Sequence, residues 1–287
     1  MSQNDDLLNA FNMMDESTEK GTTQIQRPPF GYAGSKLRSL HHILPMLPYT
    51  NTYVEPFGGS ASVLLNRKPS KLEVFNDRYA GVVALYRCLR DPEMVEKLVT
   101  WMDLTVHSKE DFIFCRETWQ DTNDPIERAG RWLYMMTYSF SGVGRQWGRS
   151  KSGSSSISNK LRNRIPQIWD VHHRFKGVQV ENQHWRHCID TYTNDSTVFY
   201  LDPPYLDTDR GCYRHWMEEK DHVEMLETVF DRPGFFAISG YPHHIYDKLK
   251  WDDRYEYDVL VTARGGNVSQ PGQKRPCVKE VLWIKEN

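Results

Sequence analysis

The stretch TVFYLDPPY at positions 197–205 decides how the chain is read. Thr197 to Leu201 form a short apolar run rich in β-branched and aromatic side chains, the pattern of a strand in a sheet. Asp202 ends the run, and Pro203 and Pro204 follow. Each proline fixes φ and removes an N–H, so the corner is stiff and presents carbonyl oxygens without competing donors. In an open α/β sheet, ligands collect beyond the carboxyl ends of the strands, which is where this corner would stand.

Outward from it, similar runs occur at TYVEPF (52–57), KLEVFND (71–77) and GFFAISG (234–240), separated by helical patterns. That alternation predicts an α/β fold with a mostly parallel sheet. The last two runs, YEYDVLVTA (255–263) and VKEVLWIKE (278–286), flank a polar loop and predict an antiparallel hairpin closing one sheet edge. Between the second and third runs lie AGVVALYRCL, MVEKLVTWM and DPIERAGRWLYMMTYSF, then a basic Gly/Ser-rich stretch, 142–159. About a hundred residues are too many for an ordinary crossover, so a helical insert is expected. The predicted organisation is a mobile acidic tail over 1–24, an α/β domain from 25–100 and 171–287, and an insert over 101–170.

The 287 residues are 39% hydrophobic and carry a formal net charge of -2. No run approaches the roughly 18–20 apolar residues of a membrane span, and the acidic N-terminus lacks the order of a signal peptide. A cytoplasmic, monomeric protein is expected. Cys88, Cys115, Cys188, Cys212 and Cys277 are scattered without ligand spacing, which predicts neither a disulfide framework nor a metal site. The glycine signatures of nicotinamide-binding and P-loop proteins are absent. Overall charge announces no polyanion, but 141–169 contains no acid and six bases: Arg145, Arg149, Lys151, Lys160, Arg162 and Arg164. Such a patch fits contacts to DNA phosphates. Arg264, Lys274 and Arg275 in the loop of the final hairpin could add to it.

The corner at Asp202 suits one kind of nucleophile. An aromatic amine such as adenine N6 is weak because its lone pair is delocalised. The Asp202 carboxylate and the Pro203 carbonyl, each accepting one N6 hydrogen, would favour a pyramidal nitrogen and stabilise its developing positive charge. Tyr205 would stack on the base, which must first be swung out of a duplex. A carboxylate turned away from the pocket into a buried ion pair would remove this chemistry.

Companion motifs suit a methyl donor. In YVEPFGGSASVL (53–64), Phe57, Gly58, Gly59 and Ser60 lead from a strand into a helix whose N–H groups can receive a carboxylate. Asp77 ends the next strand, where an acid can accept from ribose hydroxyls. In FGYAGSKLR (30–38), Tyr32, Gly34 and Lys36 could contact the amino-acid end of the donor.

The order GYAGSK, EPFGGSAS, FND, YSFSGVG and LDPPY, spanning about Pro29 to Lys285, resembles the Dam-type DNA N6-adenine methyltransferases that place a recognition domain between cofactor and catalytic motifs. The resemblance implies a Rossmann-like seven-stranded sheet, S-adenosylmethionine as donor, double-stranded DNA as partner and base flipping. It implies that Asp202, Pro203, Pro204 and Tyr205 form the catalytic loop. It also implies that Tyr32, Gly34, Lys36, Phe57, Gly59 and Asp77 hold the donor, with Asn182 and Gln183 at its adenine. Tyr32 stands where members commonly have Trp, and Ala61 where they have a second glycine. The segment YSFSGVG lacks two Asn of the related recognition motif, so the familiar tetranucleotide target is not implied. Cytosine-N4 or RNA-adenine methylation and a catalytically silent DNA-binding protein are the alternatives.

Overall fold

The computed structural model describes residues 25–32, 34–149, 157–208, 215–260 and 277–287. The tail over 1–24, Lys151 and the hairpin-loop residues Arg264, Lys274 and Arg275 lie outside the described residues.

Seven strands form one sheet: β1 (Thr52–Glu55), β2 (Leu72–Asn76), β3 (Val178–Glu181), β4 (Thr197–Leu201), β5 (Phe235–Gly240), β6 (Asp253–Leu260) and β7 (Cys277–Glu286). Their order is β3-β2-β1-β4-β5-β7-β6. The first five are parallel, while β7 runs antiparallel between β5 and β6. The expected hairpin is therefore present, with its second strand inside the sheet and its first at the edge.

Period-two alternation assigns the side chains to two layers. Tyr53, Phe75, Val198 and Tyr200 point into one apolar cluster. Their neighbours Val54, Val74, Phe199 and Leu201 point into the other. The strands read as continuous apolar runs because both faces are covered.

Among the described residues, the α-helices of five or more residues are α1 (Ser62–Asn66), α2 (Ala80–Arg90), α3 (Pro92–Leu104), α4 (Lys109–Thr118), α5 (Pro125–Tyr138), α6 (Ile165–Phe175), α7 (Trp185–Tyr192) and α8 (Glu219–Asp231). Two of them start at an Asp-Pro pair. Asp91 accepts from the N–H groups of Glu93 and Met94, and Asp124 from those of Ile126 and Glu127. A short acidic side chain satisfies the free first-turn donors, and the following proline has no N–H to leave unpaired.

Helix α2 packs against α5, α3 and α6. The insert helices thereby share one apolar cluster with a face of the sheet, where Tyr86 stacks on Phe175 at 4.5 Å between ring centres. The expected boundaries at 100/101 and 170/171 fall inside α3 and α6.

Candidate active site

The chain reverses its sheet-building direction between β1 and β4, so their carboxyl ends open a crevice. In register, Val54 pairs with Phe199 across β1 and β4, and Leu201 with Ile238 across β4 and β5. The residues just beyond, Glu55, Asp202 and Ser239, are thus brought to one rim. The cleft above them has about 1130 Å³ of empty space, its open mouth included.

Asp202 and Lys36 both line the cleft, as do Pro203 and Pro204. The Lys36 ammonium lies 2.7 Å from Asp202 Oδ2, and the Ser239 hydroxyl donates to Asp202 Oδ1 at 2.8 Å. Asp202 is therefore in an ion pair, but the pair belongs to the cleft wall and the carboxyl side chain keeps 20% exposure. An ionised carboxylate has about four acceptor positions; two are engaged here, which leaves capacity for an amine. Lys36, expected at the amino-acid end of the donor, reaches Asp202 within the cleft that Tyr32 and Gly34 also line. Its Nζ also donates to the Gly34 carbonyl and stands 4.9 Å from the centre of the Tyr205 ring.

Tyr205 does not line the cleft. Its ring lies edge-on to Tyr241 at 4.8 Å and is nearly buried, so stacking on a base requires this corner to open. Sequence reasoning missed two polar groups beside it. Ser239 was hidden because the adjacency of β5 to β4 is not local information. Glu280 stands just before the apolar run Val281–Ile284 of β7, where it accepts from the Tyr257 hydroxyl at 3.2 Å. Burial raises the Glu280 pKa, against the pull of Lys36.

Phe57, Gly58, Gly59, Ser60, Asp77, Tyr32 and Gly34 line the same cleft. A Cβ at Gly58 would sit 2.2 Å from the Phe75 ring, so only glycine fits between strand and loop. Asp77 accepts from the N–H of Gly59 at 2.8 Å and of Tyr79 at 2.7 Å, clamping the glycine loop to the end of β2. Burial pushes its carboxyl up to about 6 despite these two bonds. Glu55 is pushed up to about 8 by burial, opposed by bonds from Tyr53 and the Leu64 N–H. That N–H belongs to the first turn of α1, whose N-cap Ala61 has no side-chain acceptor to offer.

Gln183, expected at the donor's adenine, lines the cleft together with His184 and Trp185. Asn182 does not. Its amide donates to the carbonyls of Asp77 and Arg78, at 2.7 and 3.2 Å, and so braces the loop that carries Asp77. Among the described residues, no group of three or more His, Cys, Asp or Glu could hold a metal ion.

The cationic residues do not form one uniform patch. Arg162 is engaged with Asp103, through its carboxylate at 3.3 Å and its carbonyl oxygen, so it has a counter-charge that the local sequence did not reveal. Arg164 donates to the Pro29 carbonyl at 2.8 Å. Arg145, Arg149 and Lys160 are exposed. Trp147, adjacent to them in sequence, stacks on His107 at 4.2 Å and packs within the insert.

Comparison with known proteins gives this geometry a family. The chain is 23% identical over 264 residues to the type II methyltransferase M.FokI of Planomicrobium okeanokoites, covering 83% of this chain and 40% of that protein. It is 26% identical over 206 residues to the modification methylase StsI of Streptococcus sanguinis, covering 67% of this chain and 30% of that protein. It is 25% identical over 265 residues to the DNA adenine methylase of Escherichia coli K12, covering 88% of this chain and 93% of that protein. The chain thus spans less than half of the first two relatives and nearly all of the third. No described helix is long and apolar enough to cross a membrane. The profile of the D12 class N6 adenine-specific DNA methyltransferases matches residues 32–234, more than two thirds of the sequence, and the chain belongs to that family.

Proposed function

We propose that the chain transfers a methyl group from S-adenosylmethionine to N6 of an adenine swung out of duplex DNA, acting as a single chain. The observation that carries this is the placement of Asp202 in one cleft with the Gly58–Ser60 loop and Asp77. An acceptor for an amine and a seat for a nucleoside donor share one cleft.

When bound, the donor would supply an electrophilic methyl carbon on a sulfonium. Gly58 and Gly59 let the backbone approach it closely, Asp77 would accept from its ribose hydroxyls, and Gln183 would meet its adenine ring. Ser239 and Lys36 hold the Asp202 carboxylate in one orientation. The free acceptor positions of that carboxylate and the Pro203 carbonyl would take the two N6 hydrogens. Charge developing on nitrogen then faces a preorganised negative group, and the departing proton has an acceptor at Asp202. Residues 101–170 would form the part that holds DNA, with Arg145, Arg149, Lys151, Lys160 and Arg164 meeting phosphates.

Incubating the protein with labelled S-adenosylmethionine and unmethylated DNA, then digesting to nucleosides, tests this directly. Label is expected in N6-methyladenine. Label in 4-methylcytosine, or none despite donor binding, would overturn it. Asp202→Ala should keep donor binding while transfer falls by at least about two orders of magnitude, because the group acts in the transition state.

A further inference from the structure

The turn that carries Lys36 into the active site has a second face. A separate groove on that face is lined by Arg27, Ser35, Lys160, Asn163 and Arg164, and Tyr32 lines both this groove and the cleft. The groove joins the start of the described chain to the end of the insert, far apart in sequence. The Ser35 hydroxyl is hydrogen-bonded to that of Ser62 at 2.8 Å, which ties the turn to the first residue of α1.

Its electrostatics differ from those of the surrounding surface. Among the described residues, Arg27, Lys160 and Arg164 form no ion pair with a carboxylate, whereas nearby Arg162 pairs with Asp103. Burial, then the neighbouring Arg164, lowers the pKa of Lys160, and burial lowers that of Arg164. One Nη of Arg164 is satisfied by Pro29, but its buried Nε has no acceptor. Arg164 is largely desolvated and has Lys160 as a neighbouring cation; like charges held close without a counter-charge repel, and the arrangement is relieved by an anion with several acceptor oxygens. Ser35 and Asn163 add neutral polar groups to the same walls.

We propose that this groove seats one backbone phosphate of the DNA strand, against the outer face of the turn whose inner face delivers Lys36 to Asp202. The proposal rests on the adenine-methylation reading and adds to it a specific anchor. Flipping rotates a nucleotide about its own backbone, so a phosphate held beside the cleft fixes the pivot while the base moves. The seat needs the N-terminal segment as well as the insert, which makes Arg27 a DNA contact outside the recognition region.

The test uses the full chain and a labelled duplex carrying its own methylated site, mapped by sequencing modified plasmid DNA. Affinity is measured against salt for the wild type and for the double variant Arg27→Gln, Lys160→Gln. Arg164 is left in place because it also holds Pro29, and the thermal midpoint checks that the variant is folded. The plot of log affinity against log salt should become shallower by about 0.9, the loss of one phosphate contact. A series of duplexes with one neutral methylphosphonate each should contain a position that weakens the wild type and leaves the variant unaffected. A variant with the wild-type slope and the wild-type response at every methylphosphonate overturns the seat alone. A wild type with no salt-dependent duplex binding sinks the DNA reading and the seat together.

Discussion

Glu55 carries a carboxyl group into a place with almost no water, and its titration should be visible in the stability of the whole protein. Burial raises its pKa from 4.5 to about 8. Between those values the folded protein holds a proton that the unfolded chain has released, so stability is fully present at the acid end and falls as pH rises towards 8. Asp77, raised to about 6, and Glu280, also raised, act in the same direction. Glu55→Gln imitates the protonated acid at every pH. Denaturant titrations should show the variant gaining on the wild type between pH 5 and pH 8, by at most roughly 1.4 kcal/mol per pH unit. A difference that stays flat with pH would mean that Glu55 titrates like an exposed acid and that the rim of the cleft is wetter than its burial indicates.

At the scale of the element, the loop from β1 into α1 shows where sequence and backbone disagree. Ala61 has φ 55° and ψ 25°, the left-handed region in which a Cβ is crowded by the backbone. The related family commonly has glycine at this position. Ala61→Gly removes that strain but frees the unfolded chain, and the two effects oppose each other. The strain is the larger, so the variant should be more stable by about 0.5 kcal/mol, as chemical denaturation would show. Gly58→Ala should do the reverse, since its Cβ would meet a buried ring. Overpacking of this kind costs about 1–3 kcal/mol.

Legibility followed the same boundary between local and distant information. Six of the seven strands were readable because each is an apolar run bounded by turn residues, and α2, α3 and α5 because their apolar spacing is helical; β3, only four residues long with Gln179 exposed between Val178 and Val180, was not singled out. Helix α6 was not singled out, since IPQIWDVHHRF follows a basic loop and mixes polar with apolar positions. The placement of β7 between β5 and β6 depends on strand order, as do the contacts of Ser239 with Asp202 and of Glu280 with Tyr257. Asp202, the glycine loop and Asp77 were found because motif spacing reports them. The ion pair of Asp202 with Lys36 joins residues more than 160 positions apart, and nothing local signals it.

For the molecule as a whole, the question is whether the insert is an appendage or part of the same cooperative unit. Trp132 of α5 donates to the Tyr79 hydroxyl at 2.9 Å and packs on Phe30, so the insert, the end of β2 and the N-terminal segment meet at one buried point. The apolar cluster runs without a break from Tyr53 and Phe75 in the sheet to Phe112 and Tyr138 in the insert. Domains joined by a small polar interface unfold separately; elements that share a core lose their packing together. Unfolding by denaturant should therefore be a single transition, with tryptophan fluorescence and far-ultraviolet circular dichroism superimposed. Tryptophans lie on both sides of the junction, at 101, 119, 132, 147 and 169 and at 185, 216, 251 and 283, so an insert melting first would give an early partial step in fluorescence as well as in the helical signal. Two resolved steps would establish 101–170 as an independent domain. One step would mean that excising it exposes a face of the sheet and leaves no folded catalytic half to assay.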